Sequence, residues 1–144
     1  MNEQDKKLLV RELCARMPYG VKCEYKGDVL HEIEAINIDD EVVFGIWNGW
    51  EDAWELELCK PYLRPFSSIT HDEILDAAKH CMGGVVYERG GRYYSSHYDP
   101  IYDEVESDFD LEYFRQGYYG IPNIDWLNEH HFDYNGLIGK GLAV

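Results

Sequence analysis

The chain has 144 residues, 45% of them hydrophobic and 15% aromatic, which suits one folded domain with a real core and excludes a disordered tract. Its 13 Lys and Arg stand against 28 Asp and Glu, a formal charge of −15 with His neutral. That balance argues against nucleic acid and anionic membrane as direct partners, since both demand cations on the protein; a basic partner fits it better, and simple solubility fits it best.

In chain order, Leu9, Val10, Leu13, Cys14 and Met17 recur at helical spacing and predict an amphipathic helix over 3–17, stopped by Pro18 and Gly20. From Val21 the period changes to two. Val21, Cys23 and Tyr25 alternate with charges, and a longer strand follows at 29–38 whose alternation slips near Ala35–Ile36, as a bulge produces. Val42, Phe44 and Ile46 share the next face, Trp47-Asn48-Gly49-Trp50 carries the Asn-Gly signal of a tight hairpin, and Trp54, Leu56 and Leu58 continue the alternation. The expected architecture is α+β: an N-terminal helix, then a small, strongly bent antiparallel sheet or SH3/Sm-like barrel over 20–66, and two further helices.

Past the prolines at 61 and 65, Thr70 and Glu73 form a capping box for a helix over 70–82, closed by Gly83-Gly84. A hairpin is expected at 85–96 around Gly90-Gly91. Residues 97–120 read as a surface excursion dense in acids and aromatic rings, with a short helix near 108–116. A last helix is expected over 123–131, capped by Asn123, and a tail to 144 completes the single domain.

Cys14, Cys23, Cys59 and Cys81 have no C-x-x-C pairing and all lie in apolar-patterned segments, so buried reduced thiols are expected. The N-terminal stretch is charged rather than apolar, and no segment reaches the length of a membrane span. A cytoplasmic setting follows. No cofactor motif is present: G-x-S-x-G, the P-loop and G-x-G-x-x-G are missing, so no catalytic residue is nominated and the reading leans away from an enzyme.

Two stretches, KPYLRPFSSIT at 60–70 and WLNEHHFDYNGLIGKGLA at 126–143, resemble the paired signatures of a family of small proteins. Gut bacteria of the Bacteroidetes type, with their phages and mobile elements, encode that family. Phe66 and Ile69 are mild departures, Asn135 stands where the family has Arg, and His71-Asp72 precedes Glu73. The resemblance implies a mobile-element origin and attaches no activity to any residue.

Three groups of residues are candidates for a site. His131 and Asp133, beside His130, have the side-chain types of a metal centre, the alternative function being a metal-dependent hydrolase. A mononuclear site needs three or four converging ligands, however, and neighbouring helical residues diverge by about 100°. The third ligand would have to come from His71, Asp72, His80 or His97. The competing reading is structural, a helix end and an Asn-Gly turn that return Leu137 and Ile138 to the core. Trp47, Trp50 and Trp54 form a second group, either a binding platform or the cover of one end of the sheet. The third group, Tyr98, Tyr102, Asp103, Glu104, Glu106, Asp108 and Tyr113, is either a solvated loop in an already acidic protein or the basis of the leading functional expectation: a non-enzymatic interaction protein that offers an acidic, aromatic surface to a basic partner.

Overall fold

The structure, a computed structural model, describes residues 1–47 and 49–144, with Leu30, His31, Glu32 and Trp47 described by their backbone alone. Two compact units emerge: residues 1–64 with 128–144, and residues 65–127.

The first unit begins with α1 (Glu3–Arg16). Asn2 caps it by accepting from the Asp5 N–H at 2.7 Å, and Glu3 and Asp5 sit in the first turn, where the helix dipole favours negative charge. A single 3-10 turn follows at Met17–Tyr19, where Pro18 has no amide to extend the ladder. Five short strands come next: β1 (Cys23–Tyr25), β2 (Asp28–Asn37), β3 (Val42–Trp47), β4 (Trp50–Glu55) and β5 (Cys59–Pro61). They pair antiparallel in the order β4-β3-β2-β1-β5. The α+β class and the antiparallel sheet are as expected. Of the two forms anticipated, the open sheet is the one adopted: among the described residues β4 and β5 remain its edges and no barrel closes.

The slip in β2 is present but lies earlier than the apolar pattern implied, with register shifts between His31 and Ile33 and between Ile33 and Ala35. The face of β3 is also reversed from its apolar weight. Val43, opposite Trp54, is fully buried, and Phe44 points outward. Gly45 is buried on the same side as Val43. The core joins Leu9 and Leu13 of α1 to Val21, Cys23, Ile33, Val43, Trp54 and Leu56, and the C-terminal Leu137, Leu142 and Ala143 complete it. The chain end is tied down as well: the Val144 N–H donates to the Pro61 carbonyl at 3.0 Å, and the Leu63 N–H donates to the Val144 carbonyl at 3.2 Å. The next residue, Arg64 of the short β6 (Arg64–Pro65), donates its N–H to the His131 carbonyl at 2.7 Å.

The second unit is built on α2 (His71–Met82), β7 (Val85–Arg89), β8 (Arg92–Asp99), β9 (Asp103–Phe109) and α3 (Leu111–Arg115). The capping box of α2 is present in both directions, Thr70 accepting from the Glu73 N–H and Glu73 accepting from the Thr70 N–H. The hairpin around Gly90-Gly91 forms as expected. The tract over 97–120 is more regular than a surface excursion. β8 runs on to Asp99, a turn follows, and β9 returns antiparallel beside it, giving a three-stranded sheet in the order β7-β8-β9.

The chain then forms α4 (Ile121–Glu129), two residues earlier than expected, because Pro122 suits a first helical turn. Asn123 is therefore inside the helix and not its cap. Fully buried, it accepts from the Tyr119 N–H at 3.0 Å and donates to the Phe114 carbonyl at 2.9 Å. The helix ends at Glu129, before both histidines, and His131 adopts a positive φ of 58° on the way into β10 (Phe132–Asp133). Among the described residues no helix is long and apolar enough to cross a membrane.

Candidate interaction face

Alternation divides the β7-β8-β9 sheet into two faces. The register pairs Tyr93 with Phe109, Ser95 with Ser107 and His97 with Val105, and this face lies against α2. Ser95 is buried there and donates to the Gly83 carbonyl, while the Tyr93 hydroxyl and the Nδ1 of His71 are 3.0 Å apart. Tyr94 pairs with Asp108, Ser96 with Glu106 and Tyr98 with Glu104 on the opposite face, which is extended on β7 by Tyr87 opposite Tyr94 and Val85 opposite Ser96. Three carboxylates of β9 thus stand in one row, at every second residue, on a face that carries three tyrosines.

Hydrogen bonds and ring contacts order this face. Tyr87 and Tyr94 stack with centroids 5.6 Å apart, and the Arg89 guanidinium lies 4.7 Å from the Tyr94 ring centroid. Arg89 donates to Glu106 at 2.8 Å, and Tyr87 donates its hydroxyl proton to the other oxygen of the same carboxylate. The Tyr87 hydroxyl, followed by the guanidinium, holds the Glu106 carboxyl below its ordinary pKa, and the carboxylate in turn pushes the Tyr87 phenol up. Ser96 donates to Glu104 at 2.6 Å. A depression of about 470 Å³ opens beside Val85, Ser96, Tyr98, Asp103 and Glu104.

The turn between β8 and β9 projects apolar and aromatic surface. Tyr98 is 74% exposed, Ile101 82% and Tyr102 75%. Asp99 fixes the turn by accepting from the Ile101 N–H at 2.8 Å and the Tyr102 N–H at 3.1 Å, and Asp103 takes the left-handed conformation (φ 71°) that starts β9. Of the residues singled out from the sequence, Tyr98, Glu104, Glu106 and Asp108 therefore share the open face, with Tyr102 and Asp103 at its turn. Tyr113 belongs to a different ring group, 4.9 Å from both Tyr118 and Tyr119, and Tyr119 stacks on Phe109. Tyr87, Arg89, Tyr94 and Ser96 were not foreseen. Their place on the face comes from strand pairing, and only a register assumed for the Gly90-Gly91 hairpin could have revealed them.

The tryptophan group is split. Trp50 is 76% exposed at the tip of the β3-β4 hairpin, whereas Trp54 is 6% exposed and packs edge-on against Tyr25 at 6.3 Å. The Trp47 side chain lies outside the described residues.

His131 and Asp133 have structural partners. Both oxygens of Asp133 are taken by the final turn, accepting from the Leu137 N–H at 2.7 Å and the Ile138 N–H at 2.9 Å. The His131 ring donates to the Tyr19 carbonyl, and burial, then the nearby Arg16 charge, lowers its pKa. Its Nδ1 is buried without a partner. Among the described residues no three His, Cys, Asp or Glu side chains gather as a metal site would need. Cys23 and Cys59 are buried as expected, whereas Cys81 is half-buried and Cys14 is exposed. Burial pushes the Cys59 thiol up to about 12 and the Cys81 thiol to about 11, and raises Cys23 further.

Comparison with protein-family profiles, with curated proteins and with solved structures gave no match for this chain.

Proposed function

We propose that this is a non-enzymatic interaction protein whose contact surface is the outer face of the β7-β8-β9 sheet together with its β8-β9 turn, and that it binds a basic partner. One observation carries the reading. The alternation of β9 sets Glu104, Glu106 and Asp108 in a single exposed row beside Tyr98 and Tyr94, with Ile101 and Tyr102 bare at the end of the same hairpin. Carboxylates supply steering and specificity towards a cationic surface, and exposed rings supply the buried area that holds it. The mobile-element origin implied by the two motif stretches belongs to this proposal, since a protein carried into a host meets host proteins with basic grooves. Trp54 and Tyr113 are left out of the contact surface.

The test is binding of a lysine-rich polypeptide to the intact chain and to the Glu104→Gln/Glu106→Gln/Asp108→Asn variant, at low and high salt. Binding should weaken at least tenfold in the variant and fall with salt, while circular dichroism shows the fold kept. Equal binding by the two chains would overturn the reading.

A further inference from the structure

β9 is an edge strand of its sheet, bonded to β8 on one side. The backbone N–H and C=O groups of an antiparallel strand point alternately to its two sides, so half of those in β9 point away from β8. Among the described residues no backbone group beyond β8 bonds to them. An open edge of this kind is a template for another extended chain.

The side chains of β9 determine which chain can use it. Glu104, Glu106 and Asp108 are exposed, and Val105 and Ser107 between them are half-buried. A second copy of β9 laid alongside would bring carboxylates against carboxylates, and like charges directly opposite are destabilising. The row therefore discourages edge-to-edge pairing of identical chains. A strand with Lys or Arg at every second residue meets the reverse situation. Neighbouring strands lie about 4.8 Å apart and same-face residues about 7 Å apart along a strand, so each cation falls opposite one carboxylate while the two backbones pair. Within the sheet the row is only partly neutralised. Arg89 is committed to Glu106 and the Tyr94 ring, Glu104 has a hydroxyl partner in Ser96, and among the described residues no cation forms an ion pair with Asp108.

We infer that β9 receives, as a fourth strand of the β7-β8-β9 sheet, an extended segment of the partner with a basic residue at alternate positions. This rests on the reading that the acidic face binds a basic partner, and adds the conformation in which the partner is held. A preformed helix or a rigid basic surface would engage the carboxylates but leave the outer backbone groups of β9 unused.

The experiment uses the full chain and two probes of equal length and charge: a decapeptide of alternating lysine and threonine, and its fully N-methylated counterpart, which keeps every charge but has no backbone donors. The plain peptide should bind, slow hydrogen exchange of amides within 103–109, and bind at least tenfold more tightly than the methylated one. Equal binding of the two peptides, with unchanged exchange in β9, overturns strand addition and leaves the charge-based reading standing. Failure of both to bind at low salt overturns the charge-based reading and strand addition with it. Glu106→Gln, which keeps a hydrogen-bonding side chain beside Tyr87 and Arg89, is the milder variant: with the fold intact, its affinity for the plain peptide should fall several-fold, and an unchanged affinity counts against the inference.

Discussion

Among single residues, Arg16 is under the greatest physical constraint. It is fully buried, as is Glu12 one turn earlier, and the two form an ion pair inside the first unit. Arg16 also donates to the Phe132 carbonyl at 2.6 Å and lies 5.3 Å from the Tyr134 ring centroid, and Asn135 donates to the remaining oxygen of Glu12. The pair thereby fastens α1 to the C-terminal segment. Two charges taken out of water gain little net stability when paired, but removing one strands the other. Arg16→Leu should therefore cost about 3–5 kcal/mol in urea unfolding, and Glu12→Leu/Arg16→Leu should cost clearly less than the sum of the single changes. His131 is a second point of control. Burial and the Arg16 charge hold its pKa below the ordinary 6.5, so the unfolded chain takes up the proton more readily. Its contribution is intact above about pH 6.5 and is lost as pH falls below that value. Stability measured from pH 7 to 5 should decline, and His131→Asn, a residue that tolerates the positive φ, should flatten that part of the decline.

At the level of elements, Gly84 controls how β7 leaves α2 and enters the sheet. Its φ is 73°, and a Cβ there would lie 2.4 Å from the Ser96 carbonyl oxygen, a backbone atom that cannot step aside. Gly84→Ala should destabilise the chain by about 2 kcal/mol or more, whereas Gly90→Asn, at a φ of 61° in open space, should cost under about 1 kcal/mol; thermal unfolding of the two variants tests the contrast. The elements that were readable from the residues are those with strong local chemistry: α1 with its apolar stripe, α2 with its reciprocal cap, and the hairpin around Gly90-Gly91; β3 and β4 pair as expected, while Asn48 of the Asn-Gly turn lies outside the described residues. β9 escaped because its alternation is acid with Val or Ser, so its inward face lacks the apolar weight by which strands are recognised. Helix α4 was displaced because Asn123 is as good a cap as it is a buried bridge. For the face itself, the sequence marks seven acids between Asp99 and Glu112, but only pairing sorts them. Asp99 closes a turn, Asp110 caps α3 by accepting from the Tyr113 N–H, and Glu112 pairs with Arg115. Asp103 takes the left-handed conformation at the start of β9, which leaves Glu104, Glu106 and Asp108 in a row visible only once β8 and β9 are in register.

Across the molecule, the charge of −15 has two consequences of opposite sign in salt. Self-repulsion among exposed carboxylates opposes the compact state, and ions that screen it favour folding. Same-face residues of β9 are about 7 Å apart, inside the Debye length of about 10 Å at 0.1 M ionic strength and outside that of about 3 Å at 1 M. Raising sodium chloride between those limits should therefore raise the thermal midpoint of the free chain. The same screening removes attraction to a cationic partner, so affinity for a lysine-rich probe should fall over the same range. A general effect of salt on protein surfaces would move the midpoint of every variant alike. Electrostatic relief makes a narrower demand: the Glu104→Gln/Glu106→Gln/Asp108→Asn chain should start at a higher midpoint in low salt and rise less as salt is added. If its midpoint tracks that of the parent chain throughout, the row is not a site of stored repulsion, and the charge it would offer a partner is already compensated within the fold.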